Sequence, residues 1–425
     1  MVTRQRKIFR WRLYAWCILG LLILYGDDYR PNDVDRATAP YQFSVVSWEL
    51  ANLPDKWVRQ AIGVLPGSST DSEGSRRREE AELYFEAGRQ LAETERRLIR
   101  LEAERPALPK TAREIAQLRQ IRTSLAHSLA ELRGDVEETL ESAVADTLQE
   151  LGFGGRPGVF PPVDTVLTGS PTVLVLSPRE RIERLDGTVL KAELAGDERE
   201  QIESKVETST DWSALVVNTG GIAFYPSIAR SDVGLDFALE TIAHEWVHHW
   251  LWFRPLGRRY FESGELATLN ETVATIAGIE IGQLARHRLE GTEPQPPAHP
   301  YHGPTAEEHT APSKPARFDL QAEMRATRVR VDELLAAGDV AGAEAYMEER
   351  RLIFVSEGYA IRKLNQAYFA FHGTYATTGA AGVNIIGEQM KELRRRSSSL
   401  EEFLRATAQI TSAEDLTALL ESGER

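Results

Sequence analysis

Through most of this chain apolar residues recur at helical spacing, and only a few short runs alternate or cluster as strands do. The first run, Leu13 to Tyr25, is apolar throughout and is closed by Asp27 and Asp28. Residues 27–75 are broken by Pro31, Pro40, Pro54, Pro66 and the Gly67–Ser75 stretch, which marks a tether. Within it Phe43, Val46, Leu50, Leu53 and Trp57 form an amphipathic segment expected to pack on the body, a membrane surface being the competing place for it. Residues 76–153 read as two long helices. Tyr84, Leu91 and Leu98 repeat every seven residues, and after Pro106 and Pro109 a second seam runs through Ile115, Leu118, Leu125, Leu129, Leu132 and Val136. Two such helices joined by a proline-containing turn make an antiparallel, coiled-coil-like hairpin, suited to a spacer, a packing arm or a face for a protein partner.

After Gly152–Gly158 the pattern changes. Thr172–Leu176 and Leu215–Val217 are short β-type runs, and Thr219-Gly220-Gly221 turns the chain into Ile222-Ala223-Phe224-Tyr225 before Pro226. These predict one small antiparallel sheet with 222–225 at its edge, because proline cannot donate to a ladder. From Gly234 onward nearly everything is helical. The exception is 291–317, which holds seven of the twenty prolines and reads as a flexible insertion. Ser399 with Glu402 forms a capping box for a late helix. The expected architecture is α+β and mostly helical. A catalytic domain over 158–425 follows a hairpin (76–153), a tether (27–75) and an N-terminal segment (1–26).

Charge narrows the function. Fifty Lys and Arg stand against 64 acids, a net charge of −14. Five bases (Arg4, Arg6, Lys7, Arg10, Arg12) lie in the first twelve residues without an acid, so the rest carries −14 − 5 = −19. A body that acidic repels phosphate backbones, which disfavours nucleic acid as a partner. The basic flank before an apolar run is the asymmetry of a signal anchor, with the N-terminus cytoplasmic and the body outside the cytoplasm. The 13-residue run covers only about 20 Å of a ~30 Å hydrocarbon core, but Phe9 and Trp11 extend it if Arg10 and Arg12 snorkel. A cleaved signal peptide is the competing reading, with Ala37-Thr38-Ala39 far downstream and Pro40 directly after it. Cys17, the single cysteine, leaves no internal disulfide and no thiolate cluster, so any metal must be held by His, Asp or Glu.

Residues 241–250 read Thr-Ile-Ala-His-Glu-Trp-Val-His-His-Trp. His244, Glu245 and His248 make H-E-x-x-H. Residues four apart on a helix lie one above the other, so both imidazoles can reach one ion. The Glu beside the first His can take a proton from a metal-bound water. Chance alone would give roughly 0.02 such motifs in a chain with this many histidines. The helix around it is apolar almost all round, yet Thr241, His244, Glu245 and His248 form one polar stripe, and buried ionisable groups need partners. A polar face satisfied within the core is the competing reading. A third ligand is required, and Glu262, Glu265 and Glu271 are candidates.

With Leu269-Asn270-Glu271-Thr272-Val273-Ala274 downstream, residues 241–280 resemble the gluzincins, HExxH zinc peptidases whose third ligand is a Glu in an N-E-x-x-A-like stretch on the next helix. The resemblance implies one Zn2+ held by His244, His248 and Glu271, and peptide-bond hydrolysis with Glu245 as general base. Thr268, Glu271 and Thr275 share a face, and Ala267, Ala274 and Gly278 permit close helix packing, which agrees with it. Thr275 departs from the thermolysin-like pattern, where an acid often orients the metal-binding His. The metzincin pattern fails, since Leu251 stands where Gly is required and Arg254 where a third His is required. The family also binds substrate along an edge strand, which implies that role for Ile222, Ala223, Phe224 and Tyr225, an ordinary sheet edge being the alternative. Asn365, Tyr368, His372 and Tyr375 recur at helical spacing in an apolar stretch. In similar peptidases a Tyr or His opposite the metal donates to the oxyanion, which points to Tyr375 and His372, against buried polar groups bonded to backbone. His249 falls off the stripe, and His299, His302 and His309 in the proline-rich insertion read as solvated.

The sequence thus leads to a membrane-anchored zinc metallopeptidase acting on a peptide or protein substrate, endopeptidase and aminopeptidase being undistinguished. The rival is a non-enzymatic, membrane-tethered helical scaffold with a structural or degenerate metal site.

Overall fold

The computed structural model describes residues 31–63, 71–103, 109–155, 158–192, 194–293, 318–359, 361–374 and 385–422. The expected N-terminal anchor, nearly all of the 291–317 insertion with its three histidines, and Tyr375 lie outside them. Among the described residues no helix is long and apolar enough to cross a membrane. The chain divides into a short N-terminal unit and a compact unit from Tyr41 to Arg425. The N-terminal unit contains α1 (Asp33–Thr38), whose start is fixed by a reciprocal Asn32/Asp35 capping box.

In the main unit α2 (Val45–Gly63) carries most of the amphipathic segment and touches the body, but not by the expected face, since Val46 and Leu50 are exposed. Trp48 Nε1 donates to the Pro226 carbonyl at 3.2 Å, and the Phe43 ring stacks on Phe224 at 5.5 Å. The expected hairpin is α3 (Asp71–Ala103) with α4 (Pro109–Leu148). Its near half is sunk into the main core. Tyr84 and Phe85 from α3, and Val136, Leu140 and Leu148 from α4, pack with Leu239, Trp246 and Trp250 of α6 (Leu235–Trp252) and with Leu269, Val273 and Ile276 of α8 (Gly264–Glu290). Among the described residues, its far half keeps only a small cluster of its own, Leu98, Leu101 and Ile115.

Mostly helical α+β holds, but the single antiparallel sheet does not. The described residues form two three-stranded sheets. The first is antiparallel, in the order β3 (Leu185–Leu190), β2 (Thr172–Pro178), β4 (Trp212–Asn218). Val173, Val175 and Leu215 point to Ala367 and Phe371 of α11 (Gln366–Thr374), while α5 (Gly196–Ser209) packs along β4. That cover explains why all of β2 is buried. The second sheet is mixed. β1 (Thr165–Thr168) runs parallel to β6 (Ser227–Arg230), and β5 (Gly221–Ile222) pairs antiparallel with β6 at its outer edge.

The expected edge strand is therefore cut to Ile222. Ala223, Phe224 and Tyr225 form a tight turn in which Phe224 N–H bonds back to the Ile222 carbonyl at 2.9 Å. Pro226, with no N–H, cannot carry the ladder through. Beyond the sheets, α9 (Leu320–Ala336) and α10 (Val340–Ser356) form a second helical hairpin around Met324, Val331, Met347 and Phe354. α12 (Ile385–Arg396), α13 (Leu400–Thr407, capped by Ser399 as expected) and α14 (Ala413–Ser422) close the main core through Met390, Phe403 and Leu416.

Candidate metal centre

α6 begins after Gly234 and is buried on nearly every side. Its Trp246 is almost fully enclosed, with Nε1 bonded to the Pro161 carbonyl at 2.7 Å, which satisfies the one polar atom of a large apolar side chain. α8 is capped by Ser263, ends in left-handed Gly291 and lies directly against α6. The contact is close because Gly278 faces it. A Cβ there would come within 2.9 Å of the His244 Cβ and 3.0 Å of the Glu240 carbonyl oxygen. A short α7 (Pro255–Arg258) and the turn after it reverse the chain between the two long helices.

This packing brings three atoms together. His244 Nε2 and His248 Nε2 are 3.0 Å apart, and Glu271 Oε2 is 3.5 Å from each. The point equidistant from a triangle with those sides lies about 1.9 Å from every corner, close to the ~2.0–2.1 Å of zinc–nitrogen and zinc–oxygen bonds. Glu271 Oε2 is buried and accepts no hydrogen bond among the described residues. An orphaned carboxylate oxygen aimed between two imidazole nitrogens is costly unless a cation completes it. The residues present fit a zinc ion. Glu245, on the neighbouring face of α6, has a carboxylate oxygen within 4.8 Å of both imidazoles. The alternative third ligands drop out, since Glu262 pairs with Arg259 at 2.7 Å in solvent and Glu265 is exposed.

The electrostatics separate the two buried acids. Burial would raise Glu271, but His248 and His244 hold it well below the usual carboxylate range. Burial raises Glu245, the two imidazoles offsetting only part of this. Burial opposes charging of His248, yet the neighbouring Glu271, assisted by Glu245 and the bond to Asn270, pushes it up to about 9.

Two contributors were not assigned from sequence. Asn270 Oδ1 accepts from His248 Nδ1–H at 2.7 Å, which leaves Nε2 to face the centre. Tyr260 donates its hydroxyl to Glu271 Oε1 at 2.5 Å. Asn270 had a signal, since it stands beside Glu271 in the motif, whereas Tyr260 had none.

β5 runs past the face of α6 that carries Thr241 and Glu245. A Cβ on Gly221 would lie 2.6 Å from Glu245 Oε1 and from Thr241 Cγ2, so only glycine fits there. The outer edge of β5 carries no strand among the described residues. His249 leaves the stripe as expected. Its Nε2–H donates to the Phe224 carbonyl at 2.9 Å, and burial pushes its imidazole down to about 4, so it is a neutral clip on the turn after β5. Tyr225 faces the other way, its hydroxyl bonded to Asp164. In the late constellation Asn365 spends its side chain on backbone, donating to the Ala214 carbonyl and accepting from Tyr368 N–H. His372 lies against the Tyr368 ring at 4.1 Å, and burial pushes it down to about 4.

No protein-family model, curated protein or solved structure matches this chain.

Proposed function

We propose that this chain is a zinc-dependent peptidase with a zincin-like catalytic region, held at a membrane by its N-terminal residues with the body outside the cytoplasm. The observation that carries the reading is the convergence of His244, His248 and Glu271 on one point, with Glu245 beside it. A zinc ion held there supplies a Lewis acid and an acidified water. The chain's own groups do the rest. Glu245, beside that point, is the base that would accept a proton and pass it to the leaving amine. The free edge of β5 offers backbone donors and acceptors to an extended peptide, and Gly221 lets that backbone approach the Glu245 carboxylate. His372, neutral, and Tyr375 are the expected donors to the tetrahedral oxyanion.

Glu245→Gln tests the mechanism. The variant should keep one zinc per chain, measured by elemental analysis, and lose about 10²–10⁴-fold in hydrolysis of a peptide library. Turnover that survives the substitution, or that ignores a chelator, removes the reading.

A further inference from the structure

Glu271 presents its two oxygens to different partners. Oε2 faces the imidazole nitrogens at 3.5 Å, while Oε1 accepts from the Tyr260 hydroxyl at 2.5 Å. Tyr260 is itself fixed. Its ring stands edge-on to His248 at 6.3 Å and 87°, and against Phe261 at 4.8 Å.

A carboxylate can bind a cation through one oxygen or through both. Two-oxygen binding by Glu271 would add a fifth donor to a site of three protein ligands and one water, and would crowd the position that the water needs. We propose that Tyr260 is a positioning residue that commits Glu271 to ligation through Oε2 alone and so keeps one coordination position open. The hydroxyl occupies the lone pair that Oε1 would otherwise turn to the metal and stops the carboxylate rotating toward a symmetric grip. Asn270 performs the matching task for His248, so both α8-side contacts act on orientation rather than on the ion. The inference rests on the metal-centre reading above.

Tyr260→Phe tests it, because the ring and its packing are kept and only the hydroxyl is lost. The full chain, stripped of metal, is titrated with Zn2+ against a chelating dye and with Co2+ by visible absorption. Wild type should take one ion per chain and give the intense Co2+ bands of a four-coordinate site. The variant should lose at least half of that intensity as the site becomes five-coordinate, and its Zn2+ affinity should fall about 10–100-fold. Tyr260→Met, which also removes the hydroxyl, should change the spectrum in the same direction and serves if the Phe variant fails to fold. An unchanged Co2+ spectrum in a folded variant overturns the proposal, whatever the affinity does. Wild-type chain that takes up neither ion overturns the metal-centre reading itself, and this is seen before any substitution is made.

Discussion

Lys56 on α2 sits between Glu137 and Glu141 of α4, its Nζ 2.9 and 2.5 Å from their carboxylates, with all three side chains largely buried. Both carboxylates also bond to backbone. Glu141 accepts from Thr165 N–H and Glu137 from Leu167 N–H, which ties α2 and α4 to β1. Burial pushes Glu141 up to about 7 even with Lys56 beside it, and the two acids hold Lys56 above its usual value against burial. His244, His248 and Glu271 are buried to a similar depth, but their donor atoms point at one another across a gap, and Glu271 Oε2 has no hydrogen bond among the described residues. Burial of ionisable groups therefore does not by itself mark a functional site. What separates the two clusters is whether the chain satisfies them internally or leaves their atoms converging on a point that it does not fill.

The largest effect should come from breaking the satisfied cluster. Lys56→Met strands two buried carboxylates and should cost about 3–5 kcal/mol in urea unfolding, with zinc uptake unchanged. Adding Glu137→Gln and Glu141→Gln keeps acceptors for Thr165 and Leu167 and should recover most of that loss. The unsatisfied cluster should respond to its cation instead. Zinc at one hundred times its dissociation constant should stabilise the metal-free chain by about 2.7 kcal/mol, read as a rise in melting temperature, and Lys56→Met should show the same increment. A melting temperature indifferent to zinc would make the two clusters alike.

A smaller effect concerns His372, which is half-buried and neutral and belongs to neither cluster. Its folded pKa of about 4 lies below the ordinary 6.5. Between those values the unfolded chain binds the extra proton, so stability is full above about 6.5 and falls as pH drops toward 4. His372→Gln should reduce that slope and leave the share due to His249, which burial also holds near 4. An identical slope in both proteins would remove the burial explanation.

The core of the site was legible because its information is local. H-E-x-x-H is one helical turn, and Glu271 was reached through the likeness of Asn270-Glu271 and its neighbours to the gluzincin stretch, with which the small residues on the contact face agree. Tyr260 was not legible, since its place beside Glu271 depends on how α7 and the turn after it fold the chain back between two helices. β1 was missed for a related reason. Thr165–Thr168 is four residues long and becomes a strand only by parallel pairing with Ser227–Arg230, some sixty positions away. The edge strand was overcalled because Ala223, Phe224 and Tyr225 have strand-like character, yet Pro226 ends the ladder and the Phe224 carbonyl is bound to His249. The hairpin periodicity was visible, but repeating Leu and Ile do not say which half meets a core and which half meets only its partner helix.

Gly278 has a wider reach than the single contact it makes. By letting two backbones nearly touch, it turns interhelical spacing into a gauge for the donor atoms, set by rigid rods rather than by mobile side chains. An arriving cation would meet a ready-made socket and need to order almost nothing. Small increases in residue size along that seam should consequently register as weakened uptake well before they register as unfolding.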